Sequence, residues 1–382
     1  MHPIIGPNNI IFHPDKMTIK RLAEYLRDQN VPKLGRRNEE DEEVPLYMNQ
    51  LKTKKIAIEV AGLVYRQNWA AVKHVMKNHT FIFVSNKDGI GGYWSRPADE
   101  EIHTMFKVYF RSFVKRILDS GVIPVFVVEG KAPDMKGATI QKRVDGKKEQ
   151  SDKADALRGN IELDEFKKKL LYAYPPGARH AEIVLEVLKD MGVTTVRAKH
   201  EAEGVCAYLV NTDYISDENG IRTKFPLHCD VALTDDYDIF MYGCRAVIRN
   251  LRSAEANKGY FEAEGYAFED ILYTLGFLPI DEDGNRIPVS SKQKNAAEGQ
   301  FRLMCILCGS DYSDNVRGLG PAKICAMIKK HNVMTYEDAC KVEPKFTVIP
   351  YDKIIQTIEK NKEFVVIDPG VTSIAKVELE YL

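Results

Sequence analysis

The sequence predicts an α/β fold built on a mostly parallel sheet flanked by helices. Two observations predict it: short, β-branched apolar runs recur along the chain, and stretches with helical periodicity separate them. A third observation bears on function, because the apolar runs lead into acidic residues.

Taken in order, Met17 to Gln29 places Ile19, Leu22, Ala23 and Leu26 on one helical face, and Pro32 with the charged stretch Arg36 to Glu43 ends it. "NEEDEE" within that stretch reads as a solvated loop. "KKIAIEVAGLVY" (54–65) is a buried strand running into a helix, and "GVIPVFVVEGKAP" (121–133) is a second strand closed by a turn. "GVTTVRAKH" (192–200), "CDVALT" (229–234) and "AVIRNL" (246–251) supply three more. Helices are expected over Glu101–Ser120, Ala178–Met191 and Glu201–Leu209. Lys131 to Tyr174, charged and poor in apolar anchors, reads as a solvent-facing helical excursion. Two polar insertions, Tyr214 to Phe225 and Asp281 to Gln300, read as surface loops. From Phe301 onward the pattern is a helix, a Gly-rich hairpin and a second helix.

Composition narrows the classes. With 54 basic and 55 acidic residues the net charge is −1, so binding to a polyanion must come from a local patch. Seven scattered cysteines point to a reducing compartment, and the lone Cys305-x-x-Cys308 pair reads as core thiols in a helix. The first residues lack the basic start and continuous apolar core of a signal peptide. No apolar run approaches the roughly 18 residues of a membrane span. An intracellular, soluble protein is expected.

Parallel strands deliver their carboxyl ends to one edge of the sheet, where open α/β folds hold ligands. Glu59 lies in "IAIEVA", Glu129 in "VFVVEGK", Glu201 and Glu203 in "KHEAEG", and Asp235, Asp236 and Asp238 in "TDDYD". One acid after a strand is often a helix cap. Four strand exits each carrying a carboxylate suit a shared cation site, since crowded unpaired carboxylates repel one another. Near the other end of the chain, Gly318-Leu-Gly-Pro-Ala-Lys323 opens a helix; its backbone N–H groups, with Lys323 and Lys329 or Lys330, suit a phosphate. A plain packing corner is the alternative for that motif.

With these pieces in order, the chain resembles the flap endonuclease family of XPG-type structure-specific 5′ nucleases. "HEAEGVCAYLV", "TDDYDIFMYG", "CILCGSDYSDNVRGLGPAKICAMI" and "PVFVVEGKAPDMKGATIQKR" carry the resemblance, which runs from about Met17 to the end. It implies a PIN-like sheet, a helical arch over about 131–174 and a C-terminal helix-hairpin-helix (H2TH-like) DNA-binding region. The organisation it implies is an extension at 1–16, a nuclease core at 17–300 and the hairpin region with its closing segment at 301–382. The family's metal-binding acids fall on Glu59, Glu129, Glu201, Glu203, Asp236, Asp238 and Asp311, whereas Asp235 and Asp314 match no metal position. Lys136 and Arg143 match the arch residues that reach the scissile phosphate, and Tyr65 matches an aromatic that stacks on a flanking base.

The chemistry so implied is phosphodiester hydrolysis by two Mg²⁺ ions roughly 4 Å apart, with Mn²⁺ able to substitute. A K⁺ at the hairpin and a DNA substrate with a 5′ flap or 5′ end beside duplex are implied as well. Replication or repair proteins are the expected partners, without a recognisable clamp-binding tail, in the nucleus or a cytoplasmic replication compartment. The family carries aspartate where this chain has Glu59 and Glu129, and it begins with a glycine after the initiator Met where this chain has Met17-Thr18. Those two glutamates support an alternative, a catalytically weakened DNA-junction binding protein of the same fold. A PIN-like ribonuclease ranks last, because it does not account for the hairpin.

Overall fold

The computed structural model describes residues 22–33, 46–85, 92–137, 141, 145–146, 148–149, 152, 163–253 and 261–367. Its elements begin with α1 (Leu22–Asp28), β1 (Leu46–Tyr47), β2 (Lys55–Glu59), α2 (Ala61–Asn78), β3 (Phe83–Ser85), β4 (Gly92–Trp94), α3 (Asp99–Asp119) and β5 (Ile123–Val128). Then come α4 (Leu163–Leu170), α5 (Ala178–Asp190), β6 (Thr194–Ala198), α6 (Ala202–Asn211), β7 (Tyr214–Ser216), β8 (Arg222–Lys224), β9 (Val231–Leu233), β10 (Ala246–Ser253) and β11 (Phe261–Ala267). The chain continues through α7 (Phe268–Thr274), α8 (Ser291–Leu307), α9 (Pro321–His331), α10 (Tyr336–Val342), α11 (Tyr351–Lys360) and β12 (Phe364–Val366).

Two compact units result. Among the described residues, a sheet unit lies within Lys33–Asp235, Cys244–Phe268 and Ile355–Ile367, and a helical unit within Leu22–Pro32, Asp236–Gly243 and Glu269–Ile354. This differs from the expected division at 300/301. The helical unit takes in the segment from Glu269 and also borrows Asp236–Gly243, because local packing and not chain order decides membership.

In the sheet unit, eight strands run in the order β1-β11-β10-β9-β2-β5-β6-β12. Neighbours from β10 through β9, β2 and β5 to β6 are parallel, and β1, β11 and β12 are antiparallel additions. The expected α/β class and its five strands are borne out. The outer strands β11 and β12 were not anticipated, since their alternation is broken by glycine and charge or confined to three residues.

The central strands are short because they are buried on both faces and need only four or five apolar residues each. Helices α2, α3 and α5 close one side, with Leu63, Phe106, Phe110, Ile183 and Val187 packed against Ile56, Ile58 and Phe126. Truncating a fully buried ring such as Phe126 to alanine would cost about 3–5 kcal/mol. Helix α6 is buried along nearly its whole length, which explains why its sequence "AEGVCAYLVN" shows no polar face. Gly204 is required there, because a Cβ would collide with the Asn361 backbone.

The insertion at 214–225 is the two-stranded ribbon β7–β8, with every residue of β8 exposed. The insertion at 281–300 is a loop only as far as Ser290. From Ser291 it is the first half of α8, started by a reciprocal cap in which Ser290 Oγ accepts from Gln293 N–H and Gln293 Oε1 accepts from Ser290 N–H. Polar composition marked the exposed side of a helix there. Cys305 and Cys308 are buried on α8, in keeping with core thiols, and all seven cysteines are free. No helix among the described residues is long and apolar enough to cross a membrane.

Candidate metal centre

The first parallel strand in the chain, β2, lies between β5 on one side and β9 on the other. The chain builds outward through β5 and β6, then crosses to β9 and β10. The order therefore reverses beside β2, the place where open α/β sheets form a crevice at their carboxyl edge. Glu59 is the last residue of β2 and is 5% exposed. Both its oxygens are held: Oε1 accepts from Gly62 N–H at 3.1 Å in the first turn of α2, and Oε2 accepts from Thr234 Oγ1 at 2.6 Å, one residue beyond β9.

Glu129 follows β5 directly. Gly130 N–H donates to His200 O at 2.8 Å and Lys131 N–H to Lys199 O at 3.0 Å, so the exit of β5 runs against the exit of β6. A side chain at Gly130 would strike the Ala198 carbonyl, so only glycine permits that approach. Glu129 thereby reaches the start of α6, where its Oε2 accepts from Ala202 N–H at 3.1 Å and gains from the positive end of the helix. Glu201 is the N-cap residue of α6 and Glu203 sits in its first turn, both buried.

Ligand oxygens of Glu59, Glu129 and Glu203 all lie within 4.8 Å of one another. Glu203 Oε2 is buried with no hydrogen-bond partner. Burial raises the Glu59 carboxyl above its ordinary range, against the Thr234 and Gly62 hydrogen bonds. For Glu203, burial and then the Glu129, Glu59 and Glu201 carboxylates raise it well above that range. Glu129 keeps an exposed edge, yet the surrounding protein followed by Glu59 and Glu201 pushes it up to about 8. Lys136 opposes the rises at Glu129 and Glu203. It is 8% exposed, at the end of a 3₁₀ turn over Asp134–Lys136, and its Nζ lies 2.5 Å from Glu201 Oε1.

This arrangement fits a hard divalent cation. The donors are carboxylate oxygens, they crowd closely enough to share an ion, and one buried oxygen is unsatisfied. Glu59, Glu129 and Glu203 would hold it, with Glu201 adjacent.

Asp235 belongs to a different network. Its carboxylate accepts from Arg66 at 3.2 Å and from Asn250 N–H at 2.8 Å, and Arg249 donates to its carbonyl. Paired in this way it braces the end of β9 to α2 and β10. Tyr65 is half-buried on α2. Arg143 lies outside the described residues.

In the helical unit, Asp236 and Asp238 are buried around a 3₁₀ turn over Tyr237–Phe240, where Asp236 Oδ1 accepts from Asp238 N–H at 2.8 Å. Asp311 is half-buried between α8 and α9. The expected helix, Gly-rich hairpin and helix are present, with positive φ at Gly309 and Gly318. Gly320 is the N-cap of α9 and no side chain caps that end. Lys323 is exposed and donates to Gly318 O at 3.1 Å, and Lys330 is exposed. Lys329 is exposed as well, and its Nζ donates to Leu275 O at 2.8 Å, closing the end of α7.

Sequence reasoning missed Thr234, Gly62 and Ala202 as groups that orient the carboxylates, and missed that Lys136 is buried against Glu201. The available signals were positional, a hydroxyl immediately after a buried strand and a glycine three residues beyond a strand-end acid.

The XPG N-terminal domain model matches residues 42–150 and the XPG I-region model matches 192–311, so both parts of the site in the sheet unit fall within matched segments. Flap endonuclease 1 of Phytophthora infestans is 30% identical over 290 residues, which cover 74% of this chain and 64% of that protein. The human protein of the same name is 26% identical over 269 residues, covering 70% of this chain and 60% of its own length. The chain thus spans less than two thirds of the length of these curated relatives. Among solved structures, flap endonuclease-1 from Methanococcus jannaschii aligns with 88% of this chain and 85% of its own at 18% identity and a TM-score of 0.49. Carrying both the XPG N-terminal domain and the XPG I-region, the chain belongs to the XPG family.

Proposed function

We propose that this protein is a metal-dependent, structure-specific nuclease that hydrolyses phosphodiester bonds of DNA at 5′ flaps and free 5′ ends. The observation that carries the reading is the meeting of Glu59, Glu129 and Glu203 at the carboxyl edge of the sheet, in a chain whose relatives are flap endonucleases. We assign Mg²⁺ as the working ion, with Mn²⁺ as a substitute, on the strength of an all-carboxylate donor set. The chemistry a bound divalent cation supplies is polarisation of the phosphodiester and a lowered proton affinity of water.

The chain's own residues do the rest. Gly62, Thr234 and Ala202 orient the carboxylates, so little reorganisation accompanies loading. Lys136 brings a buried ammonium beside Glu201, where it offsets negative charge that grows on phosphate during attack. The N-terminus of α9 with Lys323 and Lys330 grips backbone phosphates without reading bases, so DNA shape governs substrate choice. The free thiols fit work in a reducing compartment, and we place the protein in DNA replication or repair.

The test is a labelled 5′-flap duplex incubated with the protein in Mg²⁺, in Mn²⁺ and in chelator, beside the Glu203→Gln variant. Cleavage near the flap base in either metal, absent in chelator and in the variant, is the expected result. Binding of the flap without cleavage in both metals would favour a junction-binding scaffold instead.

A further inference from the structure

Glu59 carries one more rotatable bond than an aspartate, so its carboxylate needs outside help to hold one orientation. That help comes from two donors on different elements. Gly62 N–H fixes one oxygen, and this bond is local, made by the start of α2. Thr234 Oγ1 fixes the other at 2.6 Å, in a buried contact across the point where the strand order reverses. A carboxylate oxygen has a second lone pair after accepting one hydrogen bond, so this contact leaves Glu59 able to bind an ion.

Thr234 is itself immobilised. It is 3% exposed, its N–H donates to Ile248 O at 3.2 Å, and the next residue, Asp235, is braced by Arg66, Arg249 and Asn250. A hydroxyl on such a rigid support transmits the position of β9 directly to Glu59. An oriented hydroxyl behind a metal-binding carboxylate is the kind of supporting contact whose loss weakens metal binding.

We propose that Thr234 is a positioning residue, whose hydroxyl fixes the Glu59 carboxylate as a metal ligand. This rests on the metal-centre reading above and assigns a specific part of it to a residue outside the acidic set.

The experiment measures Mn²⁺ binding directly, by calorimetry and by the loss of the free-ion electron paramagnetic resonance signal, for the wild-type chain and for Thr234→Val and Thr234→Ser. Valine keeps the shape and removes the hydroxyl, whereas serine keeps the hydroxyl. We expect Thr234→Val to weaken Mn²⁺ binding about tenfold or more and Thr234→Ser to stay within about threefold of wild type. Equal Mn²⁺ affinity in wild type and Thr234→Val, or a serine variant as weak as the valine one, overturns the proposal. If Thr234→Val does not fold, Thr234→Ala against Thr234→Ser carries the same comparison, since the two differ only in the hydroxyl. Absence of Mn²⁺ binding by the wild-type chain defeats the metal-centre reading itself and is distinguishable from a failure of Thr234 alone.

Discussion

The two edges of the parallel strands treat acidic side chains in opposite ways. At the amino edge, Asp230 accepts from Lys55 N–H at 2.8 Å and from Lys54 Nζ at 3.1 Å, and Asp213 pairs with Arg245 at 2.8 Å. Partial burial pushes Asp230 up, but those donors outweigh it and hold it below the ordinary carboxylate range. The Arg245 hydrogen bond does the same for Asp213. At the carboxyl edge, Glu59, Glu129 and Glu203 are all raised, and Lys136 is the base that opposes the rise at Glu129 and Glu203. Paired acids serve the fold, whereas a crowd of acids held against its own repulsion is poised for a ligand.

The contrast can be broken most severely at Glu203. Replacing it with glutamine removes a ligand and a buried charge together, so flap cleavage is expected to fall by about 100-fold or more. The same change relieves repulsion, so the melting temperature in chelator is expected to rise. A fall in both quantities would mean that Glu203 supports the fold instead. Next in size is the ion: at a hundred times its dissociation constant, Mg²⁺ or Mn²⁺ should raise the unfolding free energy by about 2.7 kcal/mol over the chelated protein. Denaturant melts check this, and Glu203→Gln should lose most of that gain.

The pH response sharpens the contrast, because the two edges slope in opposite directions. Glu129 titrates near 8 in the folded chain against an ordinary 4.5, so between those values the folded state holds a proton that the unfolded chain has released. Its contribution in metal-free protein is complete below about pH 4.5 and is lost as pH rises through about 8. Asp230 is lowered from 3.8, so its contribution is present above that value and lost as pH falls through its lower folded pKa. Melts in chelator across pH 3 to 9 are expected to show the alkaline decline, and Glu129→Gln should flatten it. The smallest effect belongs to Asp230→Asn: about 1 kcal/mol or less of stability, with flap cleavage and Mn²⁺ binding unchanged.

Much of this was legible in the chain. The runs "IAIEVA", "VFVVEG", "TTVRA" and "DVAL" are apolar because their strands are buried on both faces, and parallel order then carries Glu59, Glu129, Glu201 and Glu203 to one edge. What stayed hidden depends on partners far along the chain. The bond from Thr234 to Glu59 joins residues with no local pattern in common, and Lys136, matched to an arch residue that reaches the scissile phosphate, is buried against Glu201, far from it in sequence. The tie from Lys329 to the Leu275 carbonyl could not be read from its sequence neighbourhood, and the first half of α8 looked like a loop because its first turns are exposed.

The placing of β2 between an early strand and a late one also has a consequence for biosynthesis. Glu59 and Thr234 are separated by 175 positions, so at about 5–20 residues per second a ribosome needs about 10–35 s to deliver the second after the first. Once Ile123–Val128 has been made, β2 can pair with β5, but its other flank has no strand to meet until Val231–Leu233 follows. The nascent protein thus carries an open edge beside clustered acids, and it cannot grip an ion in its final geometry until the polypeptide is more than half made.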